Sequence, residues 1–344
     1  MLGLRAVDPF GMRHESGAGG TYFAGPRISD RQQEIGALGA LRRLWSREKL
    51  RLLEIFEGNY MANAKIPPRV AAIHDLSCIG RCALTAVIPT LSALGVQAVP
   101  VPTAVLSTQT DGYEDLFFRD MSEEMDAITD QFERLGVKFD AIYSGFLGSR
   151  DQIGRVVRFI EHLRPLGPVL VDPVMGDDGE LYQTYTDELV EGMRTLCRHA
   201  HIITPNFTEA CLLTGEAYRS TEGMDEAQVY ALCDELAHKL HAMGPRRVVI
   251  TGIDLSDVVR TVAYDRGERF VCDRKKLSAR YPGTGDIFAS VLLGNLLSDV
   301  PFADAVRNAC RFVSHAISYT LSAPPSPRRE GVLLEGCLGE LMGL

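Results

Sequence analysis

From Arg69 onward the chain alternates short apolar runs with longer segments whose apolar residues recur at helical spacing. The runs Val70–Ile73, Val99–Val101, Ala141–Tyr143, Val169–Val171, Ile202–Ile203 and Val248–Thr251 suit strands buried on both faces. Between them Thr85–Leu94, Glu123–Leu135, Gln152–Leu163 and Asp225–Met243 read as helices. Alternation of this kind predicts an α/β fold, with a mostly parallel central sheet flanked by helices on both faces. Val258–Ala263 and Arg269–Cys272, joined by Asp265-Arg266-Gly267, add a small β hairpin.

Residues 1–60 break the pattern. They are Gly-rich and irregular to about Pro26, then charged and helix-like from Asp30 to Glu57, where the only tryptophan, Trp45, stands. The regular pattern resumes after Met61 and the Pro67-Pro68 pair. The expected organisation is an extension over 1–60, either flexible or translated from an upstream start, and one domain over 61–344. Ser322–Pro327 reads as a break before a short tail.

Composition narrows the partners. A net charge of −9 argues against a nucleic-acid surface, which needs clustered Lys and Arg, but leaves room for a nucleotide. No apolar stretch reaches the roughly 20 residues that span a bilayer, so a cytoplasmic protein without membrane contact is expected. The eight cysteines include no C-x-x-C pair and mostly sit in apolar segments, the pattern of reduced, buried thiols.

Gly283-Thr284-Gly285-Asp286 stands directly before the apolar run Ile287–Leu293. A glycine turn that opens a helix presents unpaired N–H groups to an anion, and a carboxylate beside it is placed to take a proton from an attacking hydroxyl. That combination suggests phosphoryl transfer to an alcohol; an ordinary helix start is the alternative. Five further polar clusters follow successive strands, at His74–Ser77, Ser107–Gly112, Ser144–Gly148, Asp172–Gly179 and Thr204–Glu209, and Thr251-Gly252 follows the sixth. Ligands of open α/β sheets bind beyond the carboxyl ends of the strands, so these clusters describe loops lining one crevice.

Val171-Asp172-Pro173-Val174-Met175-Gly176, Ile203-Thr204-Pro205-Asn206-Phe207-Thr208-Glu209 and Gly283-Thr284-Gly285-Asp286 resemble, in order and spacing, the signatures of the ribokinase-like superfamily. With Ala104–Thr108 and Ser144–Ser149 they are similar to its pyridoxal/pyridoxamine kinase branch over Arg69–Leu321. The resemblance implies ATP-dependent phosphorylation of the 5′-hydroxymethyl group of a B6 vitamer, in salvage of pyridoxal 5′-phosphate. Asp286 matches the catalytic base, and Gly283, Thr284 and Gly285 match the backbone donors to the moving phosphoryl group. Asp172, Asp177, Thr204, Asn206, Thr251 and Gly252 match the ATP side, with the hairpin and Asp273–Pro282 as a flap over the nucleotide. Asn206 and Glu209, with Asp172, match the Mg²⁺ positions, partly through water; a helix-start capping pair is the alternative for Asn206 and Glu209. A monovalent cation such as K⁺ and a homodimer are further expectations.

Asp75, Gln109, Thr110 and Phe146 match the substrate side, with departures. Asp75 stands where many pyridoxal kinases have Ser, Gln109 where His is usual, and Phe146 where Tyr is frequent. Asp75 can pair with a protonated aminomethyl group, which favours pyridoxamine. Three rivals follow from the same resemblance, one of them a sugar kinase of the superfamily, whose branch the segments around Ser107 and Phe146 do not resemble. Hydroxymethylpyrimidine kinase of thiamin synthesis shares the fold but typically carries Cys at the position of Asp286. A non-catalytic B6-binding protein should have lost the base or the Asn206–Glu209 pair.

Overall fold

The computed structural model describes residues 66–344, apart from 111, 114, 183, 184, 222 and 344. All of them but Ile66 fall within the second of two units of the chain, Pro67–Leu344. The helix expected within Asp30–Glu57 lies outside the described residues.

The strands form where the apolar runs are. In chain order they are β1 (Arg69–Ile79), β2 (Gln97–Thr108), β3 (Phe118–Asp120), β4 (Ala141–Ser144), β5 (Val169–Val171), β6 (Gly176–Asp177), β7 (Glu180–Leu181), β8 (Ile202–Ile203), β9 (Arg247–Asp254), β10 (Val258–Asp265) and β11 (Glu268–Lys275). Nine of them make one sheet in the order β11-β10-β9-β8-β5-β4-β1-β2-β3. From β9 to β2 every neighbouring pair is parallel, and both edges are antiparallel. The expected α/β class holds, hairpin included. Arg266 (φ 53°) and Gly267 (φ 86°) make its two-residue turn, the twist that suits a right-handed strand pair. The hairpin is built into the sheet as its edge, while β6 and β7 form a separate two-stranded ribbon.

Helices α1 (Ala83–Ala93), α2 (Ser122–Arg134), α3 (Arg150–Leu163), α4 (Asp187–Arg198), α5 (Phe207–Thr214), α6 (Glu226–Ala242), α7 (Thr284–Leu297), α8 (Phe302–Ser322) and α9 (Leu338–Leu341) complete the order. They cover both faces. Ala71 and Ile73 of β1 join a core with α2 to α6, whereas Val70 and Ala72 join a second core with α1, α7 and α8, the period of two that a pleated strand imposes. No described helix is long and apolar enough to cross a membrane. All eight cysteines are free, and six of them are buried.

Two differences from the sequence pattern bear on the site. β1 and β2 run on past their apolar runs, because strand pairing is a backbone property that polar side chains do not end. Between the pairs His74–Pro102 and Leu76–Val105 the ladder slips, so Thr103 and Ala104 oppose Asp75 alone. A bulge of this kind re-aims a side chain. The segment after Pro327 is also more than a tail: Val332, Leu334 and Cys337 are buried in the second core.

Candidate active site

The glycine turn and α7 meet the start of α1. Gly283 holds φ 80°, ψ −2°, and a Cβ there would stand 2.0 Å from the Arg81 carbonyl oxygen and 2.9 Å from Cys82 Cα. Only glycine fits both the conformation and the space. Asp286, in the first turn of α7, does not cap its own helix. Its Oδ2 accepts the Ala83 backbone N–H at 2.8 Å, at the start of α1, and its Oδ1 lies 3.7 Å from His74 Nδ1. Two helix starts therefore converge on one carboxylate, a field that favours its anion. Burial outweighs that field: the Asp286 carboxyl is raised to about 8, with Asp172 and Asp75 pushing the same way. A base lifted toward neutrality is matched to taking a proton from an alcohol.

Four carboxylates gather here. Asp75 is 7% exposed, Asp172 5% and Glu209 4%, while the Asp286 side chain keeps 15%. Asp172 Oδ1 accepts the Thr204 hydroxyl at 2.9 Å, and its Oδ2 faces Gly285. Asp75 Oδ2 accepts the Ser77 hydroxyl at 2.8 Å. Burial raises Asp172 to about 7 and Glu209 well above its usual range, with Asp172 adding repulsion to the latter. His74 does not balance them, because burial lowers its imidazole to about 3 and keeps it neutral. It packs edge-on to Tyr143, with ring centroids 4.3 Å apart.

The pKa shifts make a stability prediction. A carboxyl whose folded pKa lies above its unfolded value of about 4 binds its proton more tightly when folded. Its contribution is fully present below pH 4 and is lost as pH rises through 7 and 8, where Asp172 and Asp286 titrate. Ligand-free protein should therefore show a Tm that falls from pH 6 to pH 8.5, and Asp286→Asn should flatten the fall by roughly 2 °C or more. Calorimetry that finds the same slope in both proteins would contradict the shift assigned to Asp286.

Asn206 and Glu209 open α5 as a capping box: Asn206 Oδ1 accepts the Glu209 N–H at 2.8 Å and Glu209 Oε2 accepts the Asn206 N–H at 2.7 Å. The helix-start reading of this pair therefore holds, and the pair does more than cap. Glu209 Oε1 accepts the Met175 N–H at 3.0 Å, and Asn206 Nδ2 donates to the Gly176 carbonyl at 2.7 Å. Thr251 N–H donates to the Pro205 carbonyl at 3.0 Å, which brings the end of β9 alongside. Among the described residues no three His, Cys, Asp or Glu side chains gather as direct metal ligands. Asp172 and Glu209 are nevertheless a hard-oxygen pair with no ion-pair partner among the described residues. They fit a Mg²⁺ ion that keeps its waters, since a cation would relieve their mutual repulsion.

Beside this pair lies a cavity of about 260 Å³, lined among others by Thr208, Tyr218, Gly252, Lys276 and Arg280. Gly252 takes φ 68° there. Arg280 donates to Asp178 Oδ1 at 2.7 Å, lies 3.7 Å from Asp177 and also donates to Asp254. Lys276 stands 3.4 Å from the same Asp254. Asp177 is half exposed; burial raises its carboxyl and Arg280 opposes the shift. Sequence reading included Arg280 only as part of the Asp273–Pro282 flap and did not single it out.

On the opposite side, Phe146 stands edge-on to Tyr185 at 5.9 Å. Gln109 is buried and donates from Nε2 to the Arg329 carbonyl at 2.9 Å. Thr110 is exposed at the rim. The fold thus brings Asp75, Asp172, Glu209 and Asp286 together, with Asp75 and Asp286 near enough to repel, as one crevice requires.

The family model described as phosphomethylpyrimidine kinase matches residues 79–326. The chain belongs to this family. Within it, the chain is similar to a protein of Bacteroides thetaiotaomicron VPI-5482 that is described as a phosphomethylpyrimidine kinase and was crystallised with pyridoxal. That structure is 38% identical, superposes with a TM-score of 0.74, and the match covers 80% of this chain and 96% of the other. Pyridoxal kinase of Leishmania donovani, in complex with ADP and pyridoxamine, is 26% identical with a TM-score of 0.69, over 79% and 95% of the two chains. A pyridoxine/pyridoxal/pyridoxamine kinase of Bordetella avium is 34% identical over 189 residues, 52% of this chain and 60% of the relative. This phosphomethylpyrimidine kinase family member is of the pyridoxal kinase type and has the ribokinase-like fold that its motifs implied.

Proposed function

We propose that the protein transfers the γ-phosphoryl group of ATP to the 5′-hydroxymethyl group of a B6 vitamer. The observation that carries the reading is Asp286: a carboxylate raised to about 8, beside a turn whose Gly283 admits no side chain. The vitamer hydroxyl attacks the γ-phosphorus, its proton passes to Asp286, and ADP leaves. N–H groups of Gly283, Thr284, Gly285 and Asp286 stabilise charge on the moving phosphoryl group, so positioning and electrostatics supply most of the acceleration. Asp172, Asp177, Thr204, Asn206, Thr251 and Gly252 line the ATP side. Mg²⁺, held by Asn206, Glu209 and Asp172 partly through water, would neutralise triphosphate charge. The similarity to chains crystallised with pyridoxal, and with ADP and pyridoxamine, supports both ligand classes. The test is phosphorylated vitamer, detected by chromatography after incubation with Mg·ATP; no product from pyridoxal, pyridoxamine or pyridoxine would sink the reading.

Pyridoxamine is the preferred acceptor in this reading. Asp75 is buried beside Ser77 with no cationic partner among the described residues, and burial raises its carboxyl. A protonated aminomethyl group would favour its ionised form and add a charge-assisted hydrogen bond, about twice the strength of a neutral one. Gln109, Thr110 and Phe146 would complete that side. The expected result is a higher kcat/KM for pyridoxamine than for pyridoxal, lost in Asp75→Ser. Equal values in the wild type, unchanged by the substitution, would remove the basis for the preference.

The family description favours a second reading, a hydroxymethylpyrimidine kinase. Asp286 in place of the Cys typical of that branch weighs against it. A non-catalytic B6-binding protein fits less well, because Asp286, Asn206 and Glu209 are all in place. The proposal assigns the whole activity to 61–344, in a cytoplasmic homodimer.

A further inference from the structure

The chain beyond the family match carries contacts that the activity as described does not use. The family model ends at residue 326, and the next residues, Arg328–Glu330, form a short 3₁₀ turn. That turn lies against three loops of the crevice. Arg81, just before α1, donates its backbone N–H to the Glu330 carbonyl at 2.9 Å. Gln109, at the end of β2, donates to the Arg329 carbonyl at 2.9 Å. Arg328 Nε donates to the Arg280 carbonyl, in the segment that leads into the glycine turn. The turn is anchored from behind: Val332 and Leu334 are buried, and Leu333 N–H donates to the Thr320 hydroxyl at 2.8 Å.

Arg329 reaches out from this anchored turn. Its Nη1 donates to the Gly112 carbonyl at 3.1 Å, and its guanidinium lies 4.3 Å from the centre of the Tyr113 ring. One side chain thus grips the loop after β2 twice, by a charge-assisted hydrogen bond and by a cation–π contact. A planar guanidinium stacks on a ring face while its edge donates in a fixed geometry; an ammonium on a flexible stem makes such contacts with less geometric definition. Gly112 sits at φ 74° with the Arg329 stem 3.4 Å from where its Cβ would be, so the loop and the arginine are fitted closely. The same loop carries Gln109 and Thr110, the residues that the proposed function puts against the acceptor.

We infer that Arg329 is a positioning residue for the acceptor: by gripping Gly112 and Tyr113 it holds Gln109 and Thr110 where they bind the molecule to be phosphorylated. The inference rests on the proposed reading for the identity of the acceptor, but not for the hold on the loop. Among the described residues, its side-chain hydrogen bond and its cation–π contact are both to the loop after β2, so the acceptor side is where its loss should be felt.

Two measurements on Arg329→Ala and Arg329→Lys test it. Arg329 is exposed, so neither substitution empties a core position. With the wild type's best acceptor, Arg329→Ala should raise the acceptor KM by about tenfold or more, because one exposed cation–π contact and one charge-assisted hydrogen bond together exceed the free energy of a tenfold change. The KM for ATP and kcat should stay near wild type, and Arg329→Lys should recover only part of the loss. An unchanged acceptor KM, or a loss shared equally with the KM for ATP, overturns the inference. Amide hydrogen exchange of the full chain without ligands is the second readout. Exchange across 109–117 should quicken in Arg329→Ala while 283–293 is unchanged, whatever the acceptor proves to be. Unaltered exchange across 109–117 overturns the inference and leaves the proposed activity standing; absence of any B6 kinase activity in the wild type sinks the activity and leaves the exchange result to decide on Arg329.

Discussion

Asp286→Asn is expected to reduce kcat by about 10²–10⁴-fold, the usual cost of removing a general base, with little change in ATP binding. Asparagine keeps an oxygen that can accept the Ala83 N–H, the bond that Asp286 makes at 2.8 Å, so the meeting of α1 and α7 should survive. What is lost is the capacity to take the hydroxyl proton. The same substitution removes a buried negative charge from among Asp75, Asp172 and Glu209, so the ligand-free variant should be more stable than wild type above pH 8, where Asp286 is ionised. Lower turnover with higher stability is a signature that simple misfolding does not produce. Turnover near the wild-type rate would remove Asp286 from the chemistry.

The second large effect is expected at Gly283. Alanine there would place its Cβ 2.0 Å from the Arg81 carbonyl oxygen while the backbone holds φ 80°. The left-handed conformation costs a non-glycine residue roughly 1–2 kcal/mol, and relieving the clash must move either the glycine turn or the start of α1. Gly283→Ala should therefore destabilise by at least about 2 kcal/mol and also lose activity, since the moved segments carry Asp286 and its Ala83 partner. Gly267→Ala is the control. Gly267 has φ 86° but open space around its Cβ position, so it should show the conformational cost alone and leave turnover intact. Equal losses at the two glycines would show that the close approach to Arg81 has no consequence.

Much of the fold was legible because the parallel strands are buried on both faces and therefore read as uninterrupted apolar runs. β5 and β8 occupy the expected residues, and the helices α1, α2, α3 and α6 differ at their ends by one or two positions. β1 and β2 were read short because their carboxyl ends carry His74, Ser77 and Thr108, polar residues that stay in the ladder. The carboxylates and the glycine turn were legible as local motifs. What was not legible depends on contacts across long stretches of chain. Gln109 meets Arg329, 220 residues on, and Arg81 meets Glu330 across 249; no local pattern announces either. Arg280 does not stand out for the same reason, because its partners Asp178 and Asp254 come from other strand ends. Val332-Leu333-Leu334 was the one available sign that the tail is anchored.

The central claim is that this crevice is built for a B6 vitamer rather than for another alcohol. It is tested most directly by ATP consumption with equal concentrations of pyridoxamine, pyridoxal, pyridoxine, hydroxymethylpyrimidine and ribose, each run alone with the full-length protein. The account predicts the highest kcat/KM for pyridoxamine, with the other B6 vitamers next and hydroxymethylpyrimidine and ribose well below them. A kcat/KM for hydroxymethylpyrimidine above that of every B6 vitamer would contradict it.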